Sequence, residues 1–309
     1  MHAGRAVCLS CGLQAGARLF PLCPPHAPPH LAFSFEAEGC TRMMRLEGGT
    51  FAHTDLPGLD TSVPSLLLHT TPNGCMVQAT AAGLRVLSPL PQAQHLISWQ
   101  PEGKGSAARI TLASAAGSVV VVATTTHLIS LKVVVQGQHS PAAATASGSS
   151  ASLHVVSQAG LQQQVSALHA CHIAPGCSSS SSSLRAKRMH SCDTVPAQGR
   201  DSSSDSSDSC VCVIVGHWVQ NDLMLMPAGV LDSAVQRLNL GFHTARSAAV
   251  LPLPDGRQLL GVGTNAGELL LWDLAATDSS WEVRGGTQVA VSNVAVELSI
   301  MPASIAGGH

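Results

Sequence analysis

The chain has 309 residues, of which 45% are apolar and 11% are charged, and its formal net charge at pH 7 is −2. This length suits one large all-β domain or two smaller ones, each with a sizeable core. The near-neutral charge argues against direct binding to nucleic acid or to an acidic membrane surface. No run of 18 apolar residues indicates a membrane span, because polar residues interrupt the nearest candidate, Val119 to Val135.

The N-terminal segment, residues 1–31, contains Pro, Cys and His but no acidic residue. It is predicted to be disordered or to form an extension outside the fold. Two close pairs, Cys8 with Cys11 and Cys23 with His26, have a spacing that suits a tetrahedral zinc site. An unstructured extension and an organelle transit peptide are the alternatives, and no metal site is included in the prediction.

A short unit recurs four times in the rest of the chain, and the copies begin at Cys75, Val119, Val211 and Leu259. Each copy is an apolar run, a break of a few small or polar residues, and a second apolar run. The runs have strand length and the breaks are turn-like, so each copy predicts a β-hairpin. Without the Ala/Ser-rich insertions the copies start about 45 residues apart, a period typical of propeller blades.

The predicted fold is all-β, a partial WD-repeat-like β-propeller of about four to five blades over residues 32–290. Two low-complexity stretches, 139–151 and 174–210, interrupt it. They bury too little apolar surface to order themselves and are predicted to be disordered loops. The tail, residues 291–309, lacks clear turn punctuation and is not assigned to a blade.

No catalytic residue, cofactor or metal-ligand set is predicted, and the chain is not expected to be an enzyme. Gly261 and Gly263 superficially match a dinucleotide fingerprint, but a strand rather than a helix follows them, so a hairpin turn is predicted. The sequence contains no nucleophile elbow and no phosphate-binding loop. Cys75 and Cys212 lie in predicted strands and are expected to behave as small apolar residues in a reducing compartment.

An ordered series of strand and turn motifs resembles the second β-propeller of the DNA damage-binding protein 1 (large subunit) family. The wider superfamily includes the large subunits of the cleavage and polyadenylation specificity factor and of splicing factor 3b. The Gly216-His217-Trp218 step favours the damage-binding branch. In chain order, the motifs are Thr41–Gly48, Leu56–Thr61, Gly83–Ser88, Leu96–Pro101, Val119–Ala123, Val215–Trp218 and Leu259–Gly267.

The resemblance implies an adaptor that docks onto a cullin-4-type scaffold in a nuclear ubiquitin ligase, with the cytoplasm as a further location. Other subunits of the complex are implied partners, nucleic acid is contacted only through the complex, and no membrane is involved. Trp218 matches a tryptophan on the family's cullin-facing surface, and Gln164 falls where the family carries an acidic contact residue. Both are therefore expected to bind the partner. The alternatives are an RNA-processing scaffold and an inactive fragment.

Overall fold

The computed structural model is all-β. It describes residues 17–22, 29–47, 49–103, 105–136, 150–173, 211–253, 255, 257–276 and 281–291. In this part of the chain there is one short 3-10 turn, Gly105–Ala108, and no α-helix. The strands, in chain order, are β1 (Ala17–Leu22), β2 (His30–Phe35), β3 (Cys40–Glu47), β4 (Thr50–His53), β5 (Ser65–Thr70), β6 (Met76–Thr80), β7 (Gly83–Leu87), β8 (His95–Trp99), β9 (Ile110–Ala116), β10 (Val119–Thr124), β11 (His127–Gln136), β12 (Ser150–Gly160), β13 (Val165–His172), β14 (Val211–His217), β15 (Asp222–Pro227), β16 (Gln236–Asn239), β17 (Ala245–Pro252), β18 (Gln258–Thr264), β19 (Glu268–Ala276) and β20 (Trp281–Ala290).

The strands form five antiparallel sheets, each made of four strands that are consecutive in the chain. Blades 1 to 5 are therefore β1–β4, β5–β8, β9–β12, β13–β16 and β17–β20, and together they are arranged as a β-propeller. This confirms the predicted fold class. The four hairpins expected from the repeated unit are the second and third strands of blades 2 to 5.

An apolar core lies between each pair of consecutive blades. Between blades 2 and 3, for example, Val77 and Val86 pack with Val122 and Leu131, and all four side chains are fully buried. Stacking is required because a single blade cannot bury both of its apolar faces. Among the described residues no such core joins blade 5 to blade 1, so the five blades form an arc.

Blade 1 begins earlier in the chain than the sequence pattern indicated. Its first strand, β1, falls within residues 1–31 and pairs with β2 from Ala17 opposite Phe35 to Leu22 opposite His30. Arg18 and Pro21 interrupt the apolar pattern of this segment, so the pattern did not predict a strand here. A proline is tolerated here because β1 lies at the edge of its sheet.

Because consecutive strands of a blade are antiparallel, the connections between them alternate between two opposite faces of the arc, which we call the upper and lower faces. The upper face carries the turns between the second and third strands and the links from one blade to the next. The lower face carries the other turns. The predicted loop 174–210 and residues 139–149 of the other predicted loop lie outside the described residues, and the described strand ends that flank them are on the lower face. Ser150 and Ala151, which the sequence assigns to a loop, instead begin β12, where they pair with Gln136 and Val135.

The buried cysteines provide a test of the packing. Cys75 and Cys212 are fully buried, and Cys171 lies directly opposite Cys212 in the sheet. Burial raises the pKa of the Cys75 thiol. A hydrogen bond with the Cys171 thiol, together with burial, raises the pKa of Cys212. We therefore expect all three to be poorly reactive, unlike the partly exposed Cys40.

Pulsed iodoacetamide labelling at pH 8, read by peptide mass spectrometry, measures this difference. Cys75 and Cys212 should react at least about a hundredfold more slowly than Cys40, because labelling requires an opening that costs about 3 kcal/mol or more. Urea should remove the difference. Equal rates in the native protein would contradict the assignment of these strands to the core.

Candidate functional site

The two residues predicted to bind a partner lie side by side on the upper face of blade 4. Trp218 is in the turn between β14 and β15, and Gln164 ends the link between blades 3 and 4. The backbone N–H of Trp218 donates a hydrogen bond of 3.1 Å to the backbone carbonyl of Gln164. The Gln164 residue is exposed, and Trp218 is 44% exposed. Both are therefore accessible to a docking protein.

The indole of Trp218 is held in place by a residue of the next blade. The guanidinium carbon of Arg246, at the start of β17, lies 4.2 Å from the centroid of the Trp218 ring. This is a close cation–π contact, worth about 0.5–1 kcal/mol at an exposed site. One side of the ring thus packs against blade 5, so the accessible surface belongs to both blades.

Two further apolar side chains stand out on the same face, where Val219 is 78% exposed and Phe242 is 94% exposed. Phe242 lies in the link between β16 and β17, and this link is bonded to the turn that carries Val219. Asn221 donates from its side-chain amide to the Gly241 carbonyl at 3.0 Å and accepts from the Leu240 N–H at 2.8 Å. The two turns are therefore one continuous surface.

The Phe242 link is also anchored to blade 5. The Nε2 atom of His243 lies 2.9 Å from a carboxylate oxygen of Glu268, and the Thr244 N–H donates to the Asn265 side chain at 2.9 Å. An exposed aromatic on an anchored link loses little conformational entropy when a partner covers it. We call Gln164, Trp218, Val219, Phe242 and Arg246 together the Trp218 surface.

Four buried polar atoms in residues close to Gln164 or Trp218 in the chain have no hydrogen-bond partner within the described part of the protein. They are Gln163 Oε1, Ser166 Oγ, His217 Nδ1 and Asp222 Oδ1. All four belong to residues within four positions of Gln164 or Trp218. Buried polar groups are normally paired, so a cluster of unpaired ones needs an explanation. Burial lowers the pKa of His217, which keeps its imidazole neutral near pH 7.

The charges near the Trp218 surface leave one cation without a carboxylate. Asp222 is paired with Arg237 at 3.2 Å, and Glu268 lies beside His243. Arg246 contacts the Trp218 ring and has no ion-pair partner among the described residues. The surface therefore combines exposed apolar area with a positive charge that has no carboxylate partner among the described residues.

The other sites considered from sequence do not gather into a reactive centre. The Gly261–Gly267 stretch crosses from β18 into the β18–β19 hairpin turn, as predicted, with Gly267 at a φ of +81°. The two Cys/His pairs, whose spacing suits zinc but for which no metal site was predicted, lie outside the described residues. Among the residues that are described, no three potential metal ligands cluster and no helix is long and apolar enough to cross a membrane.

The five blades make this chain a β-propeller protein. No protein-family model matches the sequence, and no curated protein matches it. Sequence reasoning predicted Trp218 and Gln164 as partner-binding residues, which stays a prediction, and it did not single out Phe242 or Arg246. For Phe242 a signal was available, since an aromatic within the Leu-Gly-Phe-His link is unusual in a chain with only five phenylalanines.

Proposed function

We propose that this protein is a non-catalytic interaction scaffold that docks a partner protein on the Trp218 surface. One observation carries the proposal: the exposed side chains of Trp218 and Phe242 lie on two hydrogen-bonded turns of the upper face, and Arg246 packs against the Trp218 ring. Aromatic and arginine side chains are the commonest anchors of protein interfaces.

The proposed partner is a cullin-4-type scaffold protein, which would make the chain an adaptor within a ubiquitin ligase in the nucleus. This finer assignment rests on the resemblance between Trp218 and the cullin-facing tryptophan of the damage-binding family. Contact with nucleic acid would then be indirect, through other subunits of the complex.

The test is a titration of the full chain against the N-terminal part of a cullin-4, measured by calorimetry with a pull-down as a second readout. Saturable binding in the micromolar range or tighter supports the proposal. No binding by a chain whose circular dichroism shows it to be folded would rule out the cullin-4 assignment. In that event an RNA-processing complex becomes the class of partner to examine.

A charge change at Gln164 probes the contact that the resemblance implies. Gln164→Glu should tighten binding to the cullin-4 fragment by up to about 1 kcal/mol, roughly fivefold, if a basic partner group faces this position. The gain should shrink between about 50 and 300 mM salt, because exposed charge pairs are screened.

The matched control is Gln162→Glu, which adds the same charge two residues away at an exposed site of the same link. A gain confined to Gln164→Glu indicates a local contact. Equal gains from both variants would mean that only the overall charge matters, and Gln164 would then lose its assignment as a contact residue.

A further inference from the structure

A second feature of the upper face is a cavity of about 380 Å³ between blades 1 and 2. Three arginines line it: Arg18 from β1, Arg85 from β7 and Arg109 just before β9. They come from blade 1, blade 2 and the link to blade 3, and are three of only 16 Lys and Arg residues in the chain. The described acidic residues that line the cavity are Glu36 and Asp60.

One arginine of the cavity is already neutralised. Arg85 Nη2 lies 2.9 Å from Asp60 Oδ2. The other carboxylate oxygen of Asp60 accepts from the Ser62 hydroxyl at 2.6 Å and from the Ser62 N–H at 3.2 Å. This pair therefore forms a wall of the cavity and carries no net charge.

A buried amide fixes that wall. The Asp60 N–H donates to Gln78 Oε1 at 2.9 Å, and Gln78 Nε2 donates to the Asp60 carbonyl at 2.8 Å and to the Ser65 hydroxyl at 2.9 Å. Gln78 is fully buried. The Ser65 N–H in turn donates to the Ser34 hydroxyl at 2.8 Å, across the boundary between blades 1 and 2. These hydrogen bonds hold the wall in one arrangement before any ligand binds, and they occupy the polar groups of Gln78 and of the Asp60 backbone.

The other two arginines keep their charge available. Arg18 donates from Nη1 to the Leu66 carbonyl at 3.4 Å, which orients the guanidinium, and no other hydrogen bond joins it to the described residues. Neither Arg18 nor Arg109 has a carboxylate within ion-pair distance among the described residues. Glu36 is exposed at the same cavity and forms no ion pair in the described part of the chain. The cavity therefore presents two guanidinium groups and one carboxylate, Glu36, that form no ion pair among the described residues, which leaves it with a net positive charge.

We infer that this cavity binds a phosphate monoester group, held by Arg18 and Arg109. Guanidinium groups bind phosphate oxygens through paired, charge-assisted hydrogen bonds. A phosphate monoester carries close to two negative charges at pH 7, so each of the two arginines can pair with it, although Glu36 at the same cavity offsets part of their charge. The cavity volume lies within the range of small-ligand sites. The group belongs either to a free phosphorylated small molecule or to a phosphorylated side chain of a partner protein.

This inference does not depend on the Trp218 surface, because the cavity lies at blades 1 and 2. Its test uses the full chain and calorimetry with three probes: inorganic phosphate, a pentapeptide Ala-Ala-phosphoserine-Ala-Ala, and the same peptide with aspartate in place of phosphoserine. Tighter binding of the phosphopeptide than of inorganic phosphate identifies a protein-borne group. The reverse order identifies a free small molecule.

Arg18→Gln and Arg109→Gln should each weaken phosphate binding by about tenfold or more, since each removes charged hydrogen bonds. Arg42→Gln is the matched control, because Arg42 pairs with Glu38 on the exposed side of blade 1 and does not line the cavity. Binding should also weaken from pH 7.5 to 5, because the phosphate gains a proton near pH 6.

Thermal melting followed by circular dichroism confirms that each variant is folded. Undiminished binding in both arginine variants would overturn the inference, as would no binding of either phosphate probe below about 10 mM, a free energy under roughly 3 kcal/mol. Equal affinity for the aspartate peptide would overturn the assignment to phosphate.

Discussion

Lowering the pH from 7 to 4 is expected to cost the folded protein up to about 3 kcal/mol of unfolding free energy through His169 alone. His169 lies on β13, at the boundary between blades 4 and 5, and its Nε2 atom accepts a hydrogen bond of 3.3 Å from the Val250 N–H. Burial lowers its pKa from 6.5 to about 4. Between these values the unfolded chain takes up a proton that the folded protein excludes, so acid favours unfolding.

Urea unfolding at a series of pH values tests this expectation. His169→Gln keeps a side-chain acceptor but cannot gain a proton, so its unfolding free energy should fall less steeply between pH 6.5 and 4 than that of the wild type. His53→Gln is the control, because His53 is exposed on β4. Parallel curves for the wild type and His169→Gln would contradict the argument. Burial also lowers the pKa of His69, which adds an effect of the same sign in every variant that retains it.

Trp218→Ala is expected to weaken binding of the cullin-4 fragment by about 2 kcal/mol or more, roughly thirtyfold. The substitution removes the half-exposed indole and also releases Arg246, which rests 4.2 Å from the ring. Phe242→Ala should weaken binding as well, since this ring is almost entirely exposed in the free protein. Neither change removes a core residue, so the melting temperature should change little.

Phe51→Ala is the matched control for both aromatic substitutions. Phe51 is an exposed phenylalanine on β4 of blade 1, remote in the fold from blades 4 and 5. Its loss should leave partner affinity unchanged. If Trp218→Ala and Phe242→Ala bind as tightly as the wild type, the partner docks elsewhere and the Trp218 surface has no role in binding.

The repeated hairpins could be predicted from sequence because their strands are buried on both faces. β6, β10 and β14 are buried along their whole length and appear as continuous apolar runs. The outer strands gave no such signal, since β4 is exposed throughout and β16 is partly exposed. Burial, which creates the sequence pattern, decreases toward the outer edge of a blade.

The candidate sites could be predicted only in part. Trp218 and Gln164 were named from sequence, but their contact depends on a hydrogen bond between two loops. Arg246 reaches the Trp218 ring from the next blade, and no local spacing encodes such a contact. The same holds for Arg18 and Arg109, which are 91 residues apart (109 − 18) and share a cavity only because blades stack. Sites between repeats are properties of the assembled arc.

Hydrogen–deuterium exchange of the full chain, with and without a saturating cullin-4 fragment, tests the central claim most directly. The amides of the two turns at 218–221 and 240–246 and of the link at 161–164 should become protected in the complex. The lower-face turns at 71–75 and 88–94 should be unchanged. Protection at the lower face without protection at the Trp218 surface would contradict this account, as would the absence of any complex formed by the folded chain.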